Sequence, residues 1–320
     1  MNSADTFTFT AHMWSTCVKY HGTSTSTMKN SSMLPRCRDK PGCCTRHPGT
    51  PGCSDSKPPR TTAHVLWSAA ATGLSRSCRA TGTASPQLLF THIPKTGGSF
   101  IEAAAKADGL CLGKHYVWRG HKSPYGHKCA RHHVPFDEYR PPVRAATVLC
   151  VRRDPLERLI SEWKARVVLH ALEFAQCPYD FAALRPRRAS LNADECAHHF
   201  NAYLAAVLPA YGRDASTCDC HLIPQVAYIH GRGGAAGGRR PICTHVLDFR
   251  NLTSEFREFA RAAGASPQFL RGSRQRHDRP NDSGPWCGAL SARDLTAANL
   301  RAVHAVYAED FDALGYKRLE

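Results

Sequence analysis

Residues 88–100 read Leu88-Leu89-Phe90-Thr91-His92-Ile93-Pro94-Lys95-Thr96-Gly97-Gly98-Ser99-Phe100. The apolar start has the pattern of a buried strand, and the alanine-rich run from Phe100 to Ala107 has that of a helix. A lysine, a threonine, two glycines and a serine stand between them. A strand that feeds a helix through a glycine-rich turn makes an anion site. Backbone N–H groups and the helix dipole face the ligand there, and the glycines let it approach. Lys95 adds a point charge suited to phosphate or sulfate.

The order of residues narrows the ligand. A nucleoside-triphosphate loop reads GxxxxGK[ST], with the lysine after the last glycine. Here Lys95 precedes both glycines, no GK[ST] occurs in the chain, and GxGxxG is absent from this turn.

A second segment has the same logic. Ala146-Thr147-Val148-Leu149-Cys150-Val151 reads as another buried strand, followed by Arg152-Arg153-Asp154-Pro155-Leu156-Glu157-Arg158-Leu159-Ile160-Ser161-Glu162-Trp163. Asp154 is a suitable N-cap, Pro155 fits the first helical position and Glu157 completes a capping box. Leu156, Leu159, Ile160 and Trp163 share a helical face expected to pack on the sheet. Arg153 at the strand end and Ser161 off the buried face are then placed to reach one phosphate.

The first turn resembles the 5′-phosphosulfate loop (PKTGG[ST]) of sulfotransferases. The second segment resembles their 3′-phosphate element, R-D-P-x-x-R-x-x-S, and every fixed residue of that pattern is present. The resemblance spans roughly residues 86–320. It extends to Gln225 in a PQ segment, to Val246-Leu247-Asp248-Phe249-Arg250-Asn251-Leu252, and to Tyr307-Ala308-Glu309-Asp310-Phe311, which matches a Y-x-x-D-F ending. Arg250 departs from the glutamate common in the second of these. In this order the segments are similar to the membrane-type carbohydrate sulfotransferases (sulfotransferase family 2), the group that includes the heparan sulfate 2-O-sulfotransferases.

That resemblance implies a donor, 3′-phosphoadenosine-5′-phosphosulfate (PAPS), and an acceptor base. The family places a histidine shortly before the strand that leads to the 3′-phosphate arginine. In Arg131-His132-His133-Val134-Pro135 that position is His133, with His132 as runner-up and His121 and His127 as distant alternatives. An imidazole suits proton removal near neutral pH. The implied roles are Lys95 at the leaving phosphate, Thr96, Gly97, Gly98 and Ser99 around the 5′-phosphate, and Arg153 and Ser161 at the 3′-phosphate. Positioning and electrostatics supply most of the rate of such a displacement, so no metal is required. His121, His127, Cys129, His132 and His133 are dense enough to raise a zinc site, but their spacing matches no zinc motif, and no metal is expected.

The 320 residues suffice for one sizeable α/β domain. Strands at 87–93 and 146–151 alternate with helices near 99–107 and 155–169. A strand at 242–249 precedes a helix near 254–263 closed by Gly264, and a last helix runs near 291–313. This pattern predicts a mostly parallel central sheet between helices, and the resemblance implies a P-loop-like three-layer sandwich.

Residues 1–85 differ in character. They hold 26 serines and threonines, ten lysines and arginines and only three acidic residues, Asp5, Asp39 and Asp55. Such a composition predicts a disordered or targeting segment. It holds no run of the ~18 apolar residues a span needs, whereas the family usually carries an N-terminal signal anchor. An incomplete start, a transit peptide and a soluble variant all remain open, so the family points to the Golgi lumen and the tail to plastid or cytoplasm. Of fifteen cysteines, nine lie in 86–320. Cys196, Cys218 and Cys220 are the preferred disulfide partners because they fall in a region expected to be irregular, and Cys150 in a core strand is expected as a buried thiol. N-glycosylation sequons occur at Asn30, Asn251 and Asn281.

The formal charge of +16 favours a polyanionic partner. For this family that means an acidic glycan, with Lys114, Arg119, Lys122, Lys128 and Arg131 as candidate contacts. Arg271, Arg274, Arg276 and Arg279 form a second basic run. A nucleic-acid partner is excluded by the lack of RNP aromatics, finger spacing or a helix-turn-helix. A P-loop kinase is disfavoured by the missing GK[ST]. A cytosolic-type enzyme for small phenols or steroids, and a non-catalytic relative that only binds PAPS or glycan, are the other readings.

Overall fold

Three short runs, two of them with side chains alternating between two apolar environments, set the core. The structure, a computed structural model, describes residues 88–116, 120–168, 176–231, 241–265, 286–288 and 290–319. The tail 1–85, Arg119, the basic run of four arginines from Arg271 to Arg279, and Asn281 lie outside these residues. The runs form β1 (Leu88–Phe90), β2 (Thr147–Arg152) and β3 (His245–Asp248), in the order β1-β2-β3 and all parallel. The fold is α/β, a three-stranded parallel sheet flanked by helices.

Period-two alternation sends Leu88, Phe90, Leu149, Val151 and Leu247 to one face. They pack there against Ile101, Ala104 and Ala105 of α1 (Gly98–Ala107) and Leu252, Phe256 and Ala260 of α5 (Leu252–Ala262). Leu89, Val148 and Cys150 go to the other face, onto Val134, Phe136 and Tyr139 and onto Val226 and Ile229 of α4 (Gln225–Ile229). Gly264, at φ +88°, follows the end of α5 in the left-handed conformation that lets a helix stop there.

The helix after β2, α2 (Pro155–Val168), starts as its sequence implies, with Asp154 Oδ1 accepting from the N–H groups of Leu156 and Glu157. Glu157 is not the other half of a capping box, because its carboxylate lies 3.6 Å from Arg153 Nε. Nor does α2 pack on the sheet as expected. Leu156, Leu159, Trp163 and Val167 join a separate cluster with Phe200, Tyr203, Leu204 and Val207. Those residues belong to α3 (Ala193–Arg213), a 21-residue helix begun by an Asn192/Glu195 capping box. The cysteine-rich reading of this region as irregular missed it. Its apolar stripe takes the face of α2 that would otherwise meet the sheet.

The expected last helix is two helices, α6 (Ala297–Val306) and α7 (Ala308–Leu314), broken at Tyr307. Tyr307 is buried and its hydroxyl donates to Leu222 O at 2.8 Å, which draws the chain inward at the break.

Cys196, Cys218 and Cys220 are bridged, to Cys287, Cys177 and Cys129. The thiol expected at Cys150 is instead bonded to Cys243. The parallel run of β3 beside β2 brings Cys243, just upstream of β3, to 5.9 Å from Cys150 between Cα atoms. Cys111 is also disulfide-bonded. Multiple disulfides are the mark of an oxidising compartment. No helix among the described residues is long and apolar enough to cross a membrane.

The α2–α3 contact has a direct test. Phe200 is fully buried between them. Phe200→Ala is expected to lower stability by about 3–5 kcal/mol, as large-to-small core changes do, read from the urea midpoint with the denaturant slope unchanged.

Candidate functional site

The C-terminal ends of three parallel strands lie along one edge, the place where open α/β sheets bind ligands. From β1 the chain runs through Lys95, a non-glycine residue at φ +66°, and Gly97 at φ +90° into α1. Left-handed backbone at a lysine is costly and marks a loop held in shape by its surroundings. Gly97 is also needed for space, since a Cβ there would meet Leu252 Cδ2 at 2.5 Å, and one on Gly98 would meet the His92 ring at 2.7 Å. Among the described residues the N–H groups of Gly97, Gly98 and Ser99 have no hydrogen-bond partner. Ser99 is exposed. Thr96 is fully buried and its hydroxyl donates to Ile93 O, so that hydroxyl braces the loop from inside.

Arg153 leaves the end of β2 and reaches the same loop, where its Nη1 donates to Lys95 O at 3.1 Å. Its guanidinium lies 4.0 Å over the ring of Phe249, beyond the end of β3. Its backbone is held by Gln225, whose Oε1 accepts from Arg153 N–H at 2.8 Å and whose Nε2 donates to Arg153 O at 2.7 Å. Gln225 is set in turn by Asp310, which accepts from the N–H groups of Gln225 and Val226. The PQ and Y-x-x-D-F segments are thus the supports of Arg153. Arg158, from the same motif, is buried and donates to His221 O and Ile223 O. Ser161 is partly buried, on one α2 stripe with Glu157 and Lys164. Glu157 pairs with Arg153, and Lys164 is lowered by burial and then by the charge of Arg153. Ser161 therefore faces the Arg153 side, although among the described residues no contact joins the two.

His133 sits at the end of a 3-10 turn, Arg131–His133, and its carbonyl accepts from Tyr228 Oη at 2.7 Å. Its Nδ1 is 2.9 Å from Asp219 Oδ2 and 3.1 Å from His221 Nε2. His221 Nδ1 is 2.6 Å from Glu162 Oε2. Glu162 is buried. Burial pushes its carboxyl up, but Arg166, His221 and Lys95 more than offset this and hold it well below the ordinary range. An ionised carboxylate only accepts, so His221 Nδ1 carries the proton and Nε2 a lone pair. His133 Nδ1–H then donates toward Asp219 and His221, which leaves Nε2 as the basic nitrogen. No hydrogen bond is made to that nitrogen among the described residues.

Burial first, then the neighbouring histidines, hold His133 well below its ordinary value. His132, with its ring 4.0 Å away, is pushed down to about 3 by burial and the charge of His92, and His221 to about 4 by burial against the opposing pull of Glu162. All three are neutral at pH 7. Burial lowers Lys95, Glu162 opposes this, and Arg153 and Arg166 add to it. Lys95 and His221 also act on each other electrostatically. The loop of Lys95 and the histidine cluster are therefore electrostatically linked. His121 is engaged by Pro141 O and His127 is exposed, both apart from it. The five-residue metal cluster raised by the sequence does not assemble, because Cys129 is in a disulfide.

Five of these residues escaped the sequence reading. His92 and Glu102 form a pair at 2.7 Å behind the loop, and Glu162, Asp219 and His221 form the network just described. Only Asp219 and His221 have a local signal, their place in Cys218-Asp219-Cys220-His221, whose spacing matches no zinc motif. Cys218, Asp219 and Cys220 are three successive left-handed residues, at φ 54°, 60° and 61°, and a disulfide on each side pins the turn.

Glu102 gives a pH test. Burial raises its carboxyl, but the hydrogen bond and charge of His92, then the N–H and ammonium of Lys114, outweigh this and hold it below 4.5. The folded value lies below the unfolded one, so this stabilisation is present above pH 4.5 and is lost as pH falls through the folded value. The gap in Tm between wild type and Glu102→Gln is expected to narrow on acidification below that point. A gap that stays constant would remove Glu102 from the account.

No protein-family model, curated protein or solved structure matches the chain, so the reading of the site rests on its own residues.

Proposed function

We propose that the protein is a PAPS-dependent O-sulfotransferase that acts on a carbohydrate hydroxyl in the Golgi lumen, with an acidic glycan as acceptor. One observation carries this reading. The guanidinium of Arg153 donates to the carbonyl of Lys95, so two anion-binding elements on adjacent parallel strands meet in one contact. A donor with a phosphate at each end of its ribose matches two such elements. The residues suit that group, with N–H groups at Gly97, Gly98 and Ser99 that are unengaged among the described residues, a lysine beside them and an arginine braced by Gln225.

The donor supplies an activated sulfuryl group on a phosphate leaving group. His133 Nε2 takes the proton of the acceptor hydroxyl, with Nδ1–H fixed by Asp219. As the acceptor oxygen bonds to sulfur, the sulfur–oxygen bond to the 5′-phosphate breaks and its electron pair stays on phosphate. Lys95 and the N–H groups of Gly97 to Ser99 meet that charge. Arg153, with Ser161 on its side of α2, sets the register at the 3′-phosphate. The products are a sulfate ester and 3′-phosphoadenosine-5′-phosphate.

The acidic acceptor draws support from the charge of +16. Lys114 and Lys128 are paired with Glu102 and Asp214, and the exposed Lys122 and Arg131 are further candidate contacts. The disulfides support a lumenal site.

Calorimetric titration of the full chain with 3′-phosphoadenosine-5′-phosphate, with ATP as control, tests the donor. Tight binding of the first and weak binding of ATP are expected, and equal or tighter ATP binding would favour a kinase instead. Transfer from labelled PAPS to acidic glycans, neutral glycans and small phenols then tests the acceptor. His133→Ala should lower kcat by about 10²–10⁴-fold with donor affinity retained, and Lys95→Ala by about 10²–10³-fold. Arg153→Ala should weaken the donor Kd by roughly 10–100-fold, the size of a lost charge-assisted contact. Full activity in His133→Ala would move the base to His132.

A further inference from the structure

We infer that His133 Nδ1, Asp219 Oδ2 and His221 Nε2 form a site for a zinc-class divalent cation, and that filling it switches off the transfer reaction. The three atoms lie 2.9, 3.1 and 3.6 Å apart. A point about 2.05 Å from all three, the usual zinc–ligand distance, stands about 0.8 Å above their plane. A tetrahedral ion of that bond length stands about 0.7 Å above the plane of any three ligands. The three atoms are therefore spaced to hold the ion.

The donor chemistry agrees with the geometry. Two imidazoles and one carboxylate are a usual zinc set, and a fourth position is left for water. The three facing atoms carry one proton between them, on His133 Nδ1, because the Nδ1–H of His221 is committed to Glu162. That carboxylate behind a ligating histidine is the outer-shell arrangement that fixes tautomer and raises ligand basicity. Asp219 is held in place by its bond from Ala130 N–H and by the disulfides at Cys218 and Cys220. The three side chains are slightly exposed, so a hydrated ion can reach them. Asp219 and Glu162 balance the added charge, whereas Lys95 and Arg166 oppose it, which fits a reversible site better than a permanent one.

The consequence for activity rests on the proposed function. With the ion on Nδ1, the imidazole proton moves to Nε2. That nitrogen can then no longer accept the proton of an acceptor hydroxyl. His133 serves as base or as ligand, never as both.

The test titrates chelator-treated full-length protein with zinc by calorimetry and with cobalt by visible spectroscopy. Wild type is expected to bind one ion that is lost in Asp219→Asn and in His221→Gln, with weakening beyond the roughly 10–100-fold of an outer-shell loss. Cobalt at this site should show tetrahedral d–d bands without a sulfur-to-metal charge-transfer band, which separates it from any cysteine site. Circular dichroism confirms that the variants are folded. Absence of zinc binding in wild type, or equal binding in both folded variants, overturns the site. Zinc should also lower PAPS-dependent transfer, and a chelator should restore it. If the ion binds at these residues and transfer proceeds unchanged, the switch is wrong and the site stands. If the ion binds and no transfer activity exists at all, the sulfotransferase reading fails and the site again stands.

Discussion

Asp310 is a buried carboxylate that accepts from two backbone N–H groups at the start of α4 and lies 3.9 Å from the buried guanidinium of Arg158. Through those N–H groups it sets the angle at which Gln225 enters. Gln225 in turn grips the N–H and C=O of Arg153, and Arg153 reaches Lys95. The cationic edge thus hangs from one carboxylate in the last helix. A buried charge without its partners is costly, so such a chain of contacts persists whole or fails whole.

The histidine side of the site depends on a different device. Three consecutive non-glycine residues in left-handed backbone each cost energy, on the order of 1–2 kcal/mol. No regular structure supplies that energy at Cys218, Asp219 and Cys220. Two disulfides do, and they close long segments of chain, with sequence separations of 91 and 41. The strained turn lies where Asp219 meets His133, so the stabilisation from covalent cross-links is spent on orienting one imidazole.

The legible and illegible parts of the molecule divide by range. Leu88–Phe90, Thr147–Arg152 and the start of α2 could be read because alternation, capping and proline placement are local. Lys95, Gly97, Gly98 and Arg153 could be read because both motifs are contiguous. The stripe of α3 is also local, although the region is expected from sequence to be irregular. The pairing of Cys150 is not legible locally, because its partner lies just upstream of β3, 93 residues away. Asp219 and His221 lie 86 and 88 residues from His133, and nothing in the local pattern of either points to the other.

The sequence by itself therefore determined β1, β2, the helix that follows each of them and the turn between strand and helix. Each of these is set by backbone chemistry and side-chain period within about 15 residues. Only the tertiary structure decided what the apolar face of α2 packs against, which cysteines pair and which nitrogen of His133 is left basic. Those outcomes depend on side chains brought together across two connections of the sheet, and such proximity arises when the core closes.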